Sequence, residues 1–191
     1  MNRTLVSLIF LLFIFIAPAS SLLIAQDNST PELKDIIVTT SSTHLILFAT
    51  VENSFTEQMI TGVQNGIPIT FTFYLELEKL RSKWFDASLV DTTITHTMTY
   101  DSLKEEYQIV RSDKKGKVKT TRSLEEAKQL MSELNSIQVI KLSELEPDAA
   151  YSLHLKATLE KNILPLGMHH VLPLTSLWDF ETDWRIIEFR Y

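Results

Sequence analysis

The segment IPITFTFYLELEKLRS, residues 67–82, alternates so strictly that it admits one backbone conformation. Ile67, Ile69, Phe71, Phe73, Leu75 and Leu77 recur at every second position, with Thr70, Thr72, Glu76 and Glu78 between them. Successive side chains of an extended strand point to opposite faces, so this stretch buries one side and wets the other. Wound into a helix, the same apolar residues would scatter around the axis and leave no dry stripe.

The pattern recurs. In VDTTITHTMTYD, residues 90–101, Val90, Ile94, Met98 and Tyr100 share a face opposite Asp91 and a row of threonines. In YSLHLKATLEK, residues 151–161, Tyr151, Leu153, Leu155, Ala157 and Leu159 point inward. Strands wet on one face belong to antiparallel sheets, because parallel strands are covered on both sides and read as continuous apolar runs. Shorter strands are expected at 36–40, 45–51, 107–111, 117–121, 137–142 and 185–191. Gly116 closes a hairpin between the third and fourth of these, since it accepts a positive φ without strain. The charges of 113–119 read as the solvated tip of that hairpin. About nine strands exceed what one flat meander of this size accommodates. Two helices interrupt them. Ser123 with Glu126 forms a capping box that opens the main helix, with Leu124, Ala127, Leu130, Met131 and Leu134 at helical spacing and Asn135 closing it. Ser54 with Glu57 opens a shorter helix ending near Gly62 or Gly66. The expected fold is mainly β: an antiparallel β-sandwich, immunoglobulin-like and two-layered, with one main α-helix.

The N-terminus follows a different logic. Arg3 precedes an uncharged apolar run from Leu5 to Ile16, and Ala17, Pro18 and Ala19 follow. A positive start, an apolar core and small residues make a secretory signal, cleaved after Ala19 or Ala25. Read through to Ala25, the run also suffices for a membrane anchor. The expected organisation is therefore a signal or anchor helix over 1–25, a linker over 26–32 and a single sandwich domain over 33–191. The chain contains no cysteine, which excludes disulfides, thiolate metal sites and a cysteine nucleophile. A formal net charge of −6 argues against a nucleic-acid partner.

Chemistry is sparse. No G-x-S-x-G, S-x-x-K or glycine-rich phosphate loop occurs. Among five histidines, His96 falls on an apolar strand face, the position of a hydrogen-bonded core residue, and His154 on a polar one, where a solvated side chain is expected. His169 and His170, with Asp179 downstream, form a weak candidate metal set, because neighbours on an extended chain point apart. No catalytic residue and no cofactor are predicted. The connection 163–183 is long, apolar and out of phase with the strands. Its Leu177, Trp178 and Phe180, together with Trp184 and the Trp84–Phe85 turn, are the candidate interaction surface, since exposed aromatic clusters anchor partners. Trp178, Phe180 and Trp184 are spaced by even steps and are expected to face one way, as a plug over the end of the sandwich, with Asp179, Glu181 and Asp183 opposite.

The series GIPITFTFYLELEKLRSKWFD, TMTYDSLKEEYQI, SLEEAKQLMSEL, YSLHLKATLEK and SLWDFETDW followed by EFRY, in this order, resembles an exported bacterial envelope family known only as a domain of unknown function. The resemblance spans nearly all of the chain after residue 33. It implies export, a single domain and an envelope or signalling partner, and brings no activity, cofactor or catalytic residue. The expected function is a non-catalytic periplasmic domain, soluble or tethered to the inner membrane by residues 5–25, that binds an envelope or membrane protein. The alternative is a carrier or sensor of an apolar ligand, held between sheets by Phe71, Phe73, Tyr100 and Tyr151.

Overall fold

The computed structural model describes residues 30–81, 85–159 and 180–191. The apolar segment 1–25 lies outside them, and among the described residues no helix is long and apolar enough to cross a membrane. Among the described residues nine strands form two antiparallel sheets. The smaller holds β1 (Glu32–Thr40), β2 (His44–Glu52) and β7 (Glu133–Lys141) in the order β1-β2-β7. The larger is formed by β3 (Ile69–Lys79), β4 (Ala87–Asp101), β5 (Glu106–Arg111), β6 (Val118–Thr121), β8 (Ala150–Leu159) and β9 (Arg185–Arg190), ordered β6-β5-β4-β3-β8-β9. Helix α1 (Glu57–Gln64) joins β2 to β3, and α2 (Leu124–Ser132) joins β6 to β7.

The strand with the strictest alternation stands at the centre of the larger sheet, between β4 and β8. Phe71, Phe73, Leu75 and Leu77 are fully buried, as are Leu153, Leu155 and Ala157 on β8. From the other sheet come Leu45, Leu47, Ala49 and Val51 of β2 and Leu134, Ile137 and Ile140 of β7, all in one continuous cluster. The two sheets thus close on a single core in a sandwich-like arrangement.

Both helices start on hydroxyl caps, one of them displaced from expectation. Ser123 Oγ accepts from the Glu126 N–H at 3.2 Å. The return half of this box runs through a relay: the Ser123 N–H donates to Thr121 Oγ1 (3.1 Å), and that hydroxyl donates to the Glu126 carboxylate (2.6 Å). Helix α1 is capped not by Ser54 but by Thr56, whose Oγ1 accepts from the Met59 N–H at 3.2 Å. Ser54 is buried and donates to the Val51 carbonyl, ending β2 instead. Helix α2 also stops early, at Ser132, and Leu134 belongs to β7. There Leu134, Ile137 and Ile140 are buried at steps of three, which a regular strand cannot achieve. Two bulges resolve this, because β7 carries one extra residue between Leu134 and Ile137 and another between Gln138 and Ile140 relative to β2. Ser136 takes the left-handed conformation (φ 58°) within the first.

Core and cap are expected to differ in energetic scale. Phe73→Ala should lower unfolding free energy by about 3–5 kcal/mol through the cavity it leaves. Ser123→Ala should cost only about 1 kcal/mol. Equilibrium urea unfolding of the two variants checks the ordering.

Candidate functional site

The turn after β5 gathers a buried set of polar contacts. Tyr107, Ile109 and Arg111 alternate inward along β5, so the last of these sends a guanidinium under the sheet. Its register partner on β4 is His96, fully buried in the same phase as Ile94 and Met98. A single 3-10 turn, Ser112–Lys114, then folds Asp113 back between them. Arg111 Nε and Nη2 donate to the two carboxylate oxygens at 3.2 and 3.1 Å, a bidentate pair. His96 Nε2 lies 3.2 Å from Asp113 Oδ1, and its Nδ1 lies 2.9 Å from the Met131 carbonyl at the end of α2. Both partners of this ring are oxygen atoms that can accept. Phe73 packs against the imidazole with ring centroids 5.0 Å apart. Lys114 Nζ completes the set, 3.2 Å from Asp113 Oδ2 and 3.0 Å from the Asn135 carbonyl on β7.

His96 is thus the hydrogen-bonded core residue its position implied. The expectation for 113–119 is corrected at its first residue: the Asp113 side chain is 7% exposed, because the Arg111 guanidinium and the His96 ring inside the fold draw it in. Burial alone would raise its carboxyl. The hydrogen bonds from His96 and Arg111, the Arg111 charge and Lys114 outweigh that and hold it well below the usual carboxylate range.

Beside this cluster the sandwich is open. A groove of about 550 Å³ is floored by Leu75 and Ile94 and walled by Thr92 and Thr93 of β4 and by Ser136 and Gln138 of β7, with Asp113 and Lys114 at its end. Thr92 has the inward phase of β4 yet is exposed, since the smaller sheet stops at β7.

The expected interaction residues are dispersed. Trp84, Leu177 and Trp178 lie outside the described residues, as do His169, His170 and Asp179. Among the described residues no three histidines or acids converge on a metal-sized site. Phe85 is 87% exposed beside the start of β4. Phe180 packs edge-on against Phe71 at 5.1 Å and belongs to the core. Trp184 does not follow it. Glu181 bridges Thr158, whereas Arg185 pairs with Leu155, so the 181–185 stretch holds one residue more than the strand opposite. Thr182 fills the irregularity, its N–H donating to the Ala157 carbonyl (2.9 Å) and its Oγ1 accepting from the Ala157 N–H (3.0 Å). This bulge inverts the phase, sending Phe180 inward and Trp184 outward. The expected one-sided plug is therefore corrected: the indole, 41% exposed, lies under Lys156 Nζ at 5.5 Å and edge-on to His154 at 6.4 Å. His154 is in consequence half-covered and bonds Ser152 Oγ at 2.8 Å. Phe71, Phe73 and Tyr151 are core residues filled in by Phe55, Phe180, His96 and Phe189, and Tyr100 packs on Tyr107.

The chain belongs to the family described as a domain of unknown function (DUF4390), whose model matches residues 28–188. Neither curated proteins nor solved structures give a match.

Asp113→Asn should destabilise the domain by about 3–5 kcal/mol at neutral pH, because it leaves Arg111 and His96 buried without their anion. The folded-state carboxyl titrates below its unfolded value, so its contribution is present above about pH 4 and declines as pH falls through the folded range. The difference in unfolding free energy between wild type and Asp113→Asn, followed from pH 7 down to about 2, should therefore shrink. A difference that stays constant would mean the carboxylate charge is not what binds the cluster.

Proposed function

We propose that this chain is an exported, non-catalytic domain of the cell envelope that binds another polypeptide. Its signal or anchor segment over residues 1–25 would deliver it to the periplasm, soluble after cleavage or tethered at the outer face of the inner membrane. An immunoglobulin-like reading of the sandwich is supported by the strand order. The first two strands and β7 share one sheet, while β4-β3-β8-β9 share the other, so the chain crosses between layers as that Greek key does.

One observation carries the binding reading: a row of apolar side chains on the solvent face of the larger sheet, where polar residues are the rule. Tyr74, Lys156 and Trp184 stand side by side on β3, on β8 and just before β9, with Ile186 in the next row beside His154. Tyr74, Trp184 and Ile186 are 38%, 41% and 59% exposed. An indole braced by a lysine stem loses little freedom on binding, and tryptophan is a preferred interface anchor.

A photo-crosslinking residue placed at Ile186, in the protein expressed in its own envelope, tests this. It should give a discrete polypeptide adduct, and Trp184→Ala should weaken that adduct at least about tenfold, the loss of an interface anchor. Lipid adducts alone, or a small bound mass in native mass spectrometry with no polypeptide adduct, would sink the reading and favour a ligand carrier.

A further inference from the structure

We propose that the groove between the two sheets receives an extended segment of a partner polypeptide, added as a strand along residues 91–95 of β4. The inference rests on the polypeptide-binding reading above but uses a different surface.

The edge is open by construction. β4 pairs with β3 along nearly its whole length, but β5 reaches only as far as His96. Among the described residues no strand lies against 87–95 on that side. The Thr95 N–H points to this edge, since it donates to Ser112 Oγ at 2.9 Å where the next strand's carbonyl would stand. By the alternation of a strand, the N–H and C=O of Thr93 and Asp91 point the same way. The side chains of an added strand would alternate between solvent and the groove above Leu75 and Ile94.

The other sheet edges are guarded in recognised ways. The β1 edge is broken by a register slip at a left-handed Asp35 (φ 49°). β6 is four residues long and carries Lys119, and β9 has Arg185 and Arg190 at its ends with Glu188 between. β7 has two bulges, and Lys114 occupies the Asn135 carbonyl. On β4 the register slip falls between Val90 and Ser88, leaving 91–95 straight.

Charge says what fits. Asp91 stands opposite Glu76 on the solvent face, and like charges across a ladder repel. A basic residue on the added strand beside Asp91 would relieve them. Next to Thr92 an apolar side chain would enter the groove, and near its far end Lys114, 46% exposed, would meet an acid. Along β4 from Asp91 to Ile94 the preferred occupant reads basic, apolar, polar, acidic.

The probe is an acetylated six-residue peptide, Thr-Glu-Thr-Ile-Lys-Thr, which laid antiparallel like every other pair of this sheet sets its glutamate by Ile94 and its lysine by Asp91; it is added to the full-length chain while amide hydrogen exchange is followed. The Thr93 amide should exchange freely without peptide and slow at least about tenfold when the site is mostly occupied. Asp91→Lys should lose this protection and regain it with the peptide whose lysine is replaced by glutamate. Thr93→Pro, tolerated at an unpaired edge, should abolish the protection that the peptide gives the neighbouring Asp91 amide, without lowering the thermal midpoint by more than a few degrees. A Thr93 amide already protected in the free chain, whether by its own segments or by a second copy, overturns the proposal. So does peptide binding insensitive to Asp91→Lys, or no protection at saturating peptide. Crosslinking from Ile186 reads the other face, so either surface can fail without the other.

Discussion

A single carboxylate holds the open side of this sandwich together. Asp113 draws Arg111 of β5 and His96 of β4 into one buried set, His96 passes the tie to the end of α2 through the Met131 carbonyl, and Lys114 extends it to β7. Five elements meet there (β4, β5, the 3-10 turn, α2 and β7), of which only β4 and β5 share a ladder. Apolar side chains could fill the same volume, and buried ion sets are often no more stable than such replacements. What the ions add is direction. A bidentate guanidinium and an imidazole with two fixed acceptors are satisfied in one arrangement, whereas methyl groups accept many. The register of β5 on β4 and the seat of α2 are thereby specified together.

Where bulges are absent, the fold was legible. β3 and β8 alternate without interruption, as does β4 from Val90 onward, and their faces lie as the period-two pattern implies. The strand at 137–142 was legible, but its first residues were not, for a physical reason: Leu134 stands a helical step from Leu130 and Met131, and the bulge at Ser136 hides the alternation that would tie it to Ile137. The indole of Trp184 was misplaced for the same reason, since one extra residue flips every side chain after it. Nothing in the residue types of 181–185 marks where that insertion falls.

The buried cluster could have been found. Arg111 shares the phase of Tyr107 and Ile109, and His96 shares that of Ile94 and Met98, so a cation and an imidazole were both directed inward from strands expected to lie close together. A pair of that kind demands an anion, and the nearest in sequence is Asp113. The run that follows it is a solvated tip, as read. Its first residue was masked by that company, because composition averages over a turn in which one side chain points the other way.

The cluster and the open edge have one cause. To bring its carboxylate under Arg111, the chain must turn at Ser112, and that turn ends β5 at six residues beside a β4 of fifteen. Continued in the same direction, β5 would have lain against Thr95, Thr93 and Asp91 and satisfied their edge. Ser112 instead supplies one hydroxyl to the first of them, and the sheet is left unfinished below it. Lys114 meanwhile caps the facing strand, so the groove keeps one pairing edge and not two. A conflict between completing a ladder and satisfying a buried guanidinium is resolved in favour of the charge, which is the costlier group to leave unmet inside a protein. Among the described residues no strand meets that edge of the backbone, and it lies at the surface, where water satisfies it.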